Sequence, residues 1–226
     1  MTSRHLLNEP ILSATSAPRF VAIEGPIGVG KTTLAHKLAA SLDGELMLEK
    51  AEENPFLERF YANRANAALA TQLFFLFQRA QQIADLRQRN LFTQTCVTDF
   101  LFQKDPLFAA LTLDPNELDL YQKVYQQLSV DLPQPDLVIY LQAPVKVLKE
   151  RIARRAIGFE QDISPGYLER VNEAYSQFFH EYDGAPLVII NASDIDFANN
   201  DDEYRKLLDY LLNLRSGRHY FNPTFF

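Results

Sequence analysis

The residues from Phe20 to Leu38, FVAIEGPIGVGKTTLAHKL, run apolar, break into glycines and restart with helical period. Within them, Gly25 to Thr32 reads G-x-x-x-x-G-K-T. Between a strand and a helix, that pattern wraps backbone N–H groups around phosphates. Glycines at 25, 28 and 30 let the amides turn inward, and the helix N-terminus adds its partial positive charge. Lys31 then reaches the β and γ phosphate oxygens, the Thr32 hydroxyl ligates Mg²⁺, and Thr33 completes the donor-binding set. The alternative is a glycine-rich turn that binds nothing, and the strand and helix flanks weigh against it.

A cradle of this kind needs a sheet to hold it. Five short apolar segments punctuate the chain: RFVAIEG from Arg19, ELMLE from Glu45, TCVTD from Thr95, DLVIYLQ from Asp136 and PLVIIN from Pro186. Helical patterns fill the intervals. Continuous rather than alternating apolarity implies strands covered on both faces, hence a three-layer α/β domain with a parallel sheet. Helix starts are marked by Asn54 with Pro55, and by Asp114, Pro115 and Glu117 in capping-box register. The Asp114 helix carries Leu118, Tyr121, Tyr125 and Leu128 on one face with Leu120 and Val124 beside it, more apolar surface than one neighbour needs.

The 226 residues, 47 % of them hydrophobic, suit one domain. With 29 acidic against 22 basic residues and no basic block, the chain is not expected to track a nucleic acid. The lone Cys96 has no disulfide mate, His5, His36, His180 and His219 show no zinc spacing, and no stretch approaches the ~18 apolar residues of a membrane span. A cytoplasmic protein is expected, with no membrane partner. Residues 1–18 read as a flexible leader, 19–215 as a single domain, and 216–226 as an aromatic tail with no assigned role.

Among proteins with this cradle, a GTPase needs Asn-Lys-x-Asp, and the comparable NASD at Asn191 lacks the lysine. A motor or remodelling ATPase needs a strand ending Asp-Glu, whereas here the third strand ends Thr98-Asp99-Phe100. A small-molecule kinase survives.

From about Arg19 to about Phe197 the chain resembles the deoxynucleoside kinases. EGPIGVGKTT, LEKAEENPFLERFY, ATQLFFLFQRA, TDFLFQKDPLF and ERIARRAIGFEQDIS carry the resemblance, in that order. It is most similar to bacterial members accepting deoxyadenosine, deoxyguanosine or deoxycytidine. The resemblance implies a P-loop kinase three-layer fold, a five-stranded parallel sheet flanked by helices with a short arginine-bearing lid, ATP and Mg²⁺, a deoxynucleoside partner and a homodimer.

Residue by residue, the resemblance makes Glu49 the general base for the sugar 5′-hydroxyl; a solvated strand-end glutamate is the bland alternative. Gln72 and Arg79, seven apart on one helical face, become base contacts, with Asp105 pairing the arginine. Phe74, Phe75 and Phe77 between them are expected in the core, one of them at most lining the base pocket. Tyr61 and Glu160 match the pair that holds the 3′-hydroxyl. Arg151, Arg154 and Arg155, at i, i+3 and i+4, form a cationic face for a phosphate lid, with Arg151 and Arg155 on matching family positions. Asp196 and Phe197 match the loop that receives the donor adenine, and Asp99 positions Mg²⁺ through water.

Two family arginines are absent, at Phe100 and Ile157. Arg154 or Lys104 substitutes, or the acceptor is positioned differently, or the chain binds without catalysing. The rival readings are a thymidylate-type nucleoside monophosphate kinase, which needs an arginine clamp for the acceptor phosphate, and a nucleotide-binding pseudokinase.

Overall fold

The computed structural model describes residues 18–62, 66–88, 95–129, 132–161, 163–214 and 216–222. Residues 1–17 of the expected leader lie outside them. Six strands form one sheet: β1 (Phe20–Glu24), β2 (Glu45–Met47), β3 (Cys96–Thr98), β4 (Leu137–Gln142), β5 (Leu187–Asn191) and β6 (Arg218–Phe221). Their order is β2-β3-β1-β4-β5-β6, and every neighbouring pair is parallel.

The pleat sends alternate side chains to opposite layers. Val21, Ile23, Ile139 and Ile190 face the helices α1 (Lys31–Ser41) and α8 (Asp201–Leu212), meeting Leu34, Leu38 and Leu207. Ala22, Val138, Tyr140 and Ile189 face α6 (Val145–Arg155) and α7 (Pro165–Glu181), meeting Ile152, Leu168 and Tyr175. All five residues of β1 are buried. That is why these segments read as unbroken apolar runs.

The sixth strand corrects the expected five. RHYF exposes Arg218 and Tyr220 and buries Phe221, a mixed edge pattern too short to read as a buried strand. Part of the aromatic tail is thus an edge strand. Beyond β2, α3 (Ala68–Gln88), α4 (Asp105–Thr112) and α5 (Pro115–Leu128) build a second apolar centre around Leu76, Ile83, Phe100, Phe102 and Tyr121, while α2 (Leu57–Ala62) packs Leu57 and Phe60 against Ala67 and Ala68. Helix α5 starts as its sequence dictates: Asp114 accepts from the Asn116 and Glu117 N–H groups at 2.8 and 2.9 Å, and Glu117 answers the Asp114 N–H. Asn54 accepts from Phe56 N–H at 3.0 Å, one residue ahead of α2. Phe77 departs from expectation: it is 53 % exposed rather than in the core.

Parallel strands end on one edge of the sheet, and there the chain places Glu24, Glu49 and Asp99 just before or after its turns.

Candidate active site

The cradle follows β1. Gly25 has φ +148°, and a Cβ there would lie 2.3 Å from the Leu141 carbonyl oxygen of β4. Gly28, at φ +82°, would drive a Cβ to 2.8 Å from Ile152 Cγ1 of α6. Only glycine satisfies both the left-handed backbone and the close approach. Gly30 caps α1, and Lys31 curls back so that its Nζ donates to the Gly25 and Pro26 carbonyls at 2.8 and 3.3 Å. Burial lowers the Lys31 pKa to about 8, against the opposing pull of Glu24 and Asp99.

Two cavities meet at this loop. The larger, about 1030 Å³, reaches from Gly28, Lys31 and Thr32 to Glu49, Gln72 and Arg79. The smaller, about 390 Å³, lies on the other side, between the loop residues Gly28 to Thr33, the three arginines of α6 and Asp196 with Phe197.

In the larger cavity Arg79 is the junction. One guanidinium nitrogen donates to Glu49 and the other to Asp105, while the planar group stands 5.0 Å from the Phe75 ring centroid and 5.9 Å from that of Phe100. Phe75 is therefore the cavity aromatic of its helix. Asp105 sits behind the arginine, 2 % exposed, and is not part of the cavity wall. Burial pushes its carboxyl up to about 6 despite Arg79 and Lys104. Asp105 Oδ2 and Arg79 Nε are buried without a protein hydrogen-bond partner. Gln72, one wall over, donates to Thr112 Oγ1 at 3.3 Å. Tyr61 lines the same cavity, and Glu160 does so while accepting both Nε and an amino group of Arg155.

Asp99 ties the acceptor wall to the cradle. Its Oδ2 accepts from the Thr32 hydroxyl at 2.5 Å and its Oδ1 from the Glu49 N–H at 2.7 Å. A hydroxyl and a carboxylate oxygen this close suit Mg²⁺, which binds few protein oxygens and keeps waters and phosphate oxygens as its remaining ligands.

The three arginines of α6 all line the smaller cavity, but they are not equivalent. Arg151 donates to the Val29 carbonyl at 2.8 Å and the Ala192 carbonyl at 2.6 Å, fastening α6 to the loop and to the end of β5. Arg155 holds Glu160, and Arg154 is exposed. Asp196 is exposed and braced by Asn199, whose hydrogen bonds hold its carboxyl below the usual range. Phe197 is buried against Gly30.

Phe100 is 1 % exposed in the α3–α5 centre, an apolar wall rather than a gap left by an arginine. Ile157 lines the larger cavity. Neither residue type nor spacing singles out Glu24 and Tyr175 in the sequence. Fully buried Glu24 accepts from Lys104 Nζ at 3.1 Å, Tyr175 Oη at 2.9 Å and the Leu101 N–H at 3.0 Å. Its signal was a carboxylate closing an otherwise apolar strand.

A phosphate cradle open on both sides, with a wall of hydrogen-bonding groups for a small polar molecule on one of them, is the working part of a P-loop enzyme that moves phosphoryl groups. The family model described as deoxynucleoside kinase matches residues 21–214, and the chain belongs to that family. It is 33 % identical over 200 residues to a deoxyguanosine kinase of Bacillus subtilis (strain 168), spanning 86 % of this chain and 97 % of that one. A deoxyadenosine kinase of Lactobacillus acidophilus is 27 % identical over 83 % of this chain and 92 % of its own. Among solved structures, the deoxyadenosine kinase of M. mycoides with the products dCMP and a flexible dCDP bound superimposes with a TM-score of 0.75 at 26 % identity, over 86 % of this chain and 100 % of that one.

Proposed function

We propose that this kinase transfers the γ-phosphoryl group of ATP to the 5′-hydroxyl of a deoxynucleoside, giving the 5′-monophosphate, with Glu49 as general base. The observation that carries the reading is the chain of contacts from Thr32 through Asp99 to Glu49 and Arg79, which joins cradle and acceptor wall. The sugar oxygen attacks the γ phosphorus as its proton passes to the Glu49 carboxylate, and the bond to the β–γ bridging oxygen breaks. Lys31 meets the phosphate oxygens, and Arg155 and Arg151 stand over them on the lid. Mg²⁺, where bound, would be held by Thr32 and Asp99 and would neutralise charge on the β and γ phosphates.

Gln72, Arg79 and Asp105 read the base, the carboxylate acting through the arginine; Tyr61 and Glu160 hold the 3′-hydroxyl. Asp196 and Phe197 bound the donor adenine. Phe77 and Leu120, 53 % and 49 % exposed on α3 and α5, supply apolar surface for a homodimer. A cytoplasmic location fits a salvage enzyme with one cysteine.

Among the described residues, the two arginines that line the larger cavity, Arg79 and Arg155, are engaged by carboxylates, which disfavours a clamp for an acceptor phosphate. The test is transfer of γ-labelled phosphate from ATP to each of the four deoxynucleosides, with deoxynucleoside monophosphates alongside. Transfer to deoxynucleosides is expected. Transfer to monophosphates alone indicates a monophosphate kinase, and no transfer at all a pseudokinase.

A further inference from the structure

We propose that Lys104 is a second phosphate-directed cation, meeting the transferred phosphoryl group from the acceptor side of the cradle. The proposal rests on the phosphotransfer reading above. Lys104 is 2 % exposed, on the short turn Phe102–Lys104 that leads into α4, and is set in the wall of the larger cavity.

Its pairing with Glu24 does not use it up. Glu24 also accepts from the Tyr175 hydroxyl, the Leu101 N–H and, at 3.3 Å, the Gly25 N–H. The carboxylate is well supplied with donors even without the lysine. An ammonium has three N–H donors. The Lys104 ammonium donates to Glu24 Oε1 at 3.1 Å and stands 5.4 Å from the Phe108 ring centroid, which leaves donors for a ligand in the cavity it lines. Burial lowers the Lys104 pKa, and Glu24 pulls against that lowering and fixes where the side chain stands.

The two cavities divide the cations. Among the described residues, Arg151 and Arg154 line only the smaller one, and Lys50, Arg79 and Lys104 only the larger; Lys31 and Arg155 line both. Lys104 is close enough to Lys31 to push down that lysine's pKa. On the acceptor side Arg79 is bound by two carboxylates, Arg155 chelates Glu160, and the exposed Lys50 pairs with Glu53. As the new oxygen–phosphorus bond forms and the β–γ bridging bond breaks, negative charge on the moving group passes into the larger cavity. Among the described residues Lys104 is the buried lysine held on that side with donors to spare. It transfers no proton; Glu49 takes the one from the hydroxyl.

The test compares wild type with Lys104→Met and Lys104→Arg, by calorimetric binding of the best of the four deoxynucleosides and of its 5′-monophosphate, with kcat and KM measured on the same samples. Lys104→Met is expected to weaken the monophosphate about tenfold to a hundredfold, the range for a charged hydrogen bond. Deoxynucleoside affinity and KM should hold while kcat falls, and Lys104→Arg should recover part of the loss. Should Lys104→Met fail to fold with Glu24 left unpaired, the double variant Glu24→Gln, Lys104→Met carries the comparison. Equal loss for both ligands reduces Lys104 to a structural ion pair and overturns the proposal, as does unchanged monophosphate affinity. If wild type binds no deoxynucleoside, the phosphotransfer reading itself fails and takes this one with it.

Discussion

The Thr32 hydroxyl donates to Asp99 Oδ2 at 2.5 Å, so a residue of the first helix and one following the third strand share a hydrogen bond at the centre of the site. The other oxygen of Asp99 receives the Glu49 N–H. The cradle, the proposed metal ligands and the proposed base therefore lean on one carboxylate. Asp99→Asn should raise the Mg²⁺ concentration needed for half-maximal rate by about tenfold to a hundredfold, as for other residues that support a metal. A Mg²⁺ titration of initial rates checks it.

Glu49→Gln should leave deoxynucleoside affinity nearly intact while lowering turnover by ~10²–10⁴, because an amide cannot accept the hydroxyl proton. The amide still accepts from Arg79, so the wall keeps its shape. Turnover close to wild type would remove Glu49 as the base.

Phe100→Arg should lose stability and activity together. Its ring is packed with Leu76, Phe102 and Tyr121 and faces the Arg79 guanidinium, so a second cation there would be buried, repelled and unpaired. The destabilisation should be several kcal/mol, about 3–5 by analogy with unpaired buried charges. Arg154→Ala, on an exposed helical face, should lower the rate with little change in Tm. Thermal melts with steady-state kinetics separate the two.

Burial holds the Lys31 pKa near 8 in the ligand-free protein, and an arriving phosphate raises it by stabilising the ammonium. Nucleotide binding should thus take up protons increasingly above about pH 8, and affinity should fall there. For stability the sign is opposite. A base depressed on folding destabilises while it is charged, so from about 8 towards its ordinary 10.5 the ligand-free protein regains that stability. Calorimetry in buffers of different ionisation heat reads the first effect, and melts across the same range read the second.

The sheet was legible because burial on both faces leaves its mark residue by residue, as in FVAIE and LVIYLQ. Gln72 and Arg79 were legible as a pair because helix α3 repeats its face every seven residues, and both do line the larger cavity. Glu24 was not: its partners Leu101, Lys104 and Tyr175 lie 77, 80 and 151 residues away and meet it only once the sheet is assembled. Nor does spacing reveal that Arg151 donates to two backbone carbonyls, since any helix with the same pattern offers the same cationic face. Asp105 was legible as the partner of Arg79, but its place behind that arginine, outside the cavity wall, depends on where α4 packs.

The two cavities have consequences for the kinetics. Their shared boundary is formed by Gly28, Lys31, Thr32 and Arg155; away from it the larger is walled mainly by residues between 45 and 108 and the smaller by residues 195–199. A ligand filling one side neither covers nor builds the other. Donor and acceptor should then enter in either order, with intersecting rather than parallel double-reciprocal lines. A molecule that joins a nucleoside to a nucleotide through a phosphate chain of the right length should inhibit competitively against both substrates at once.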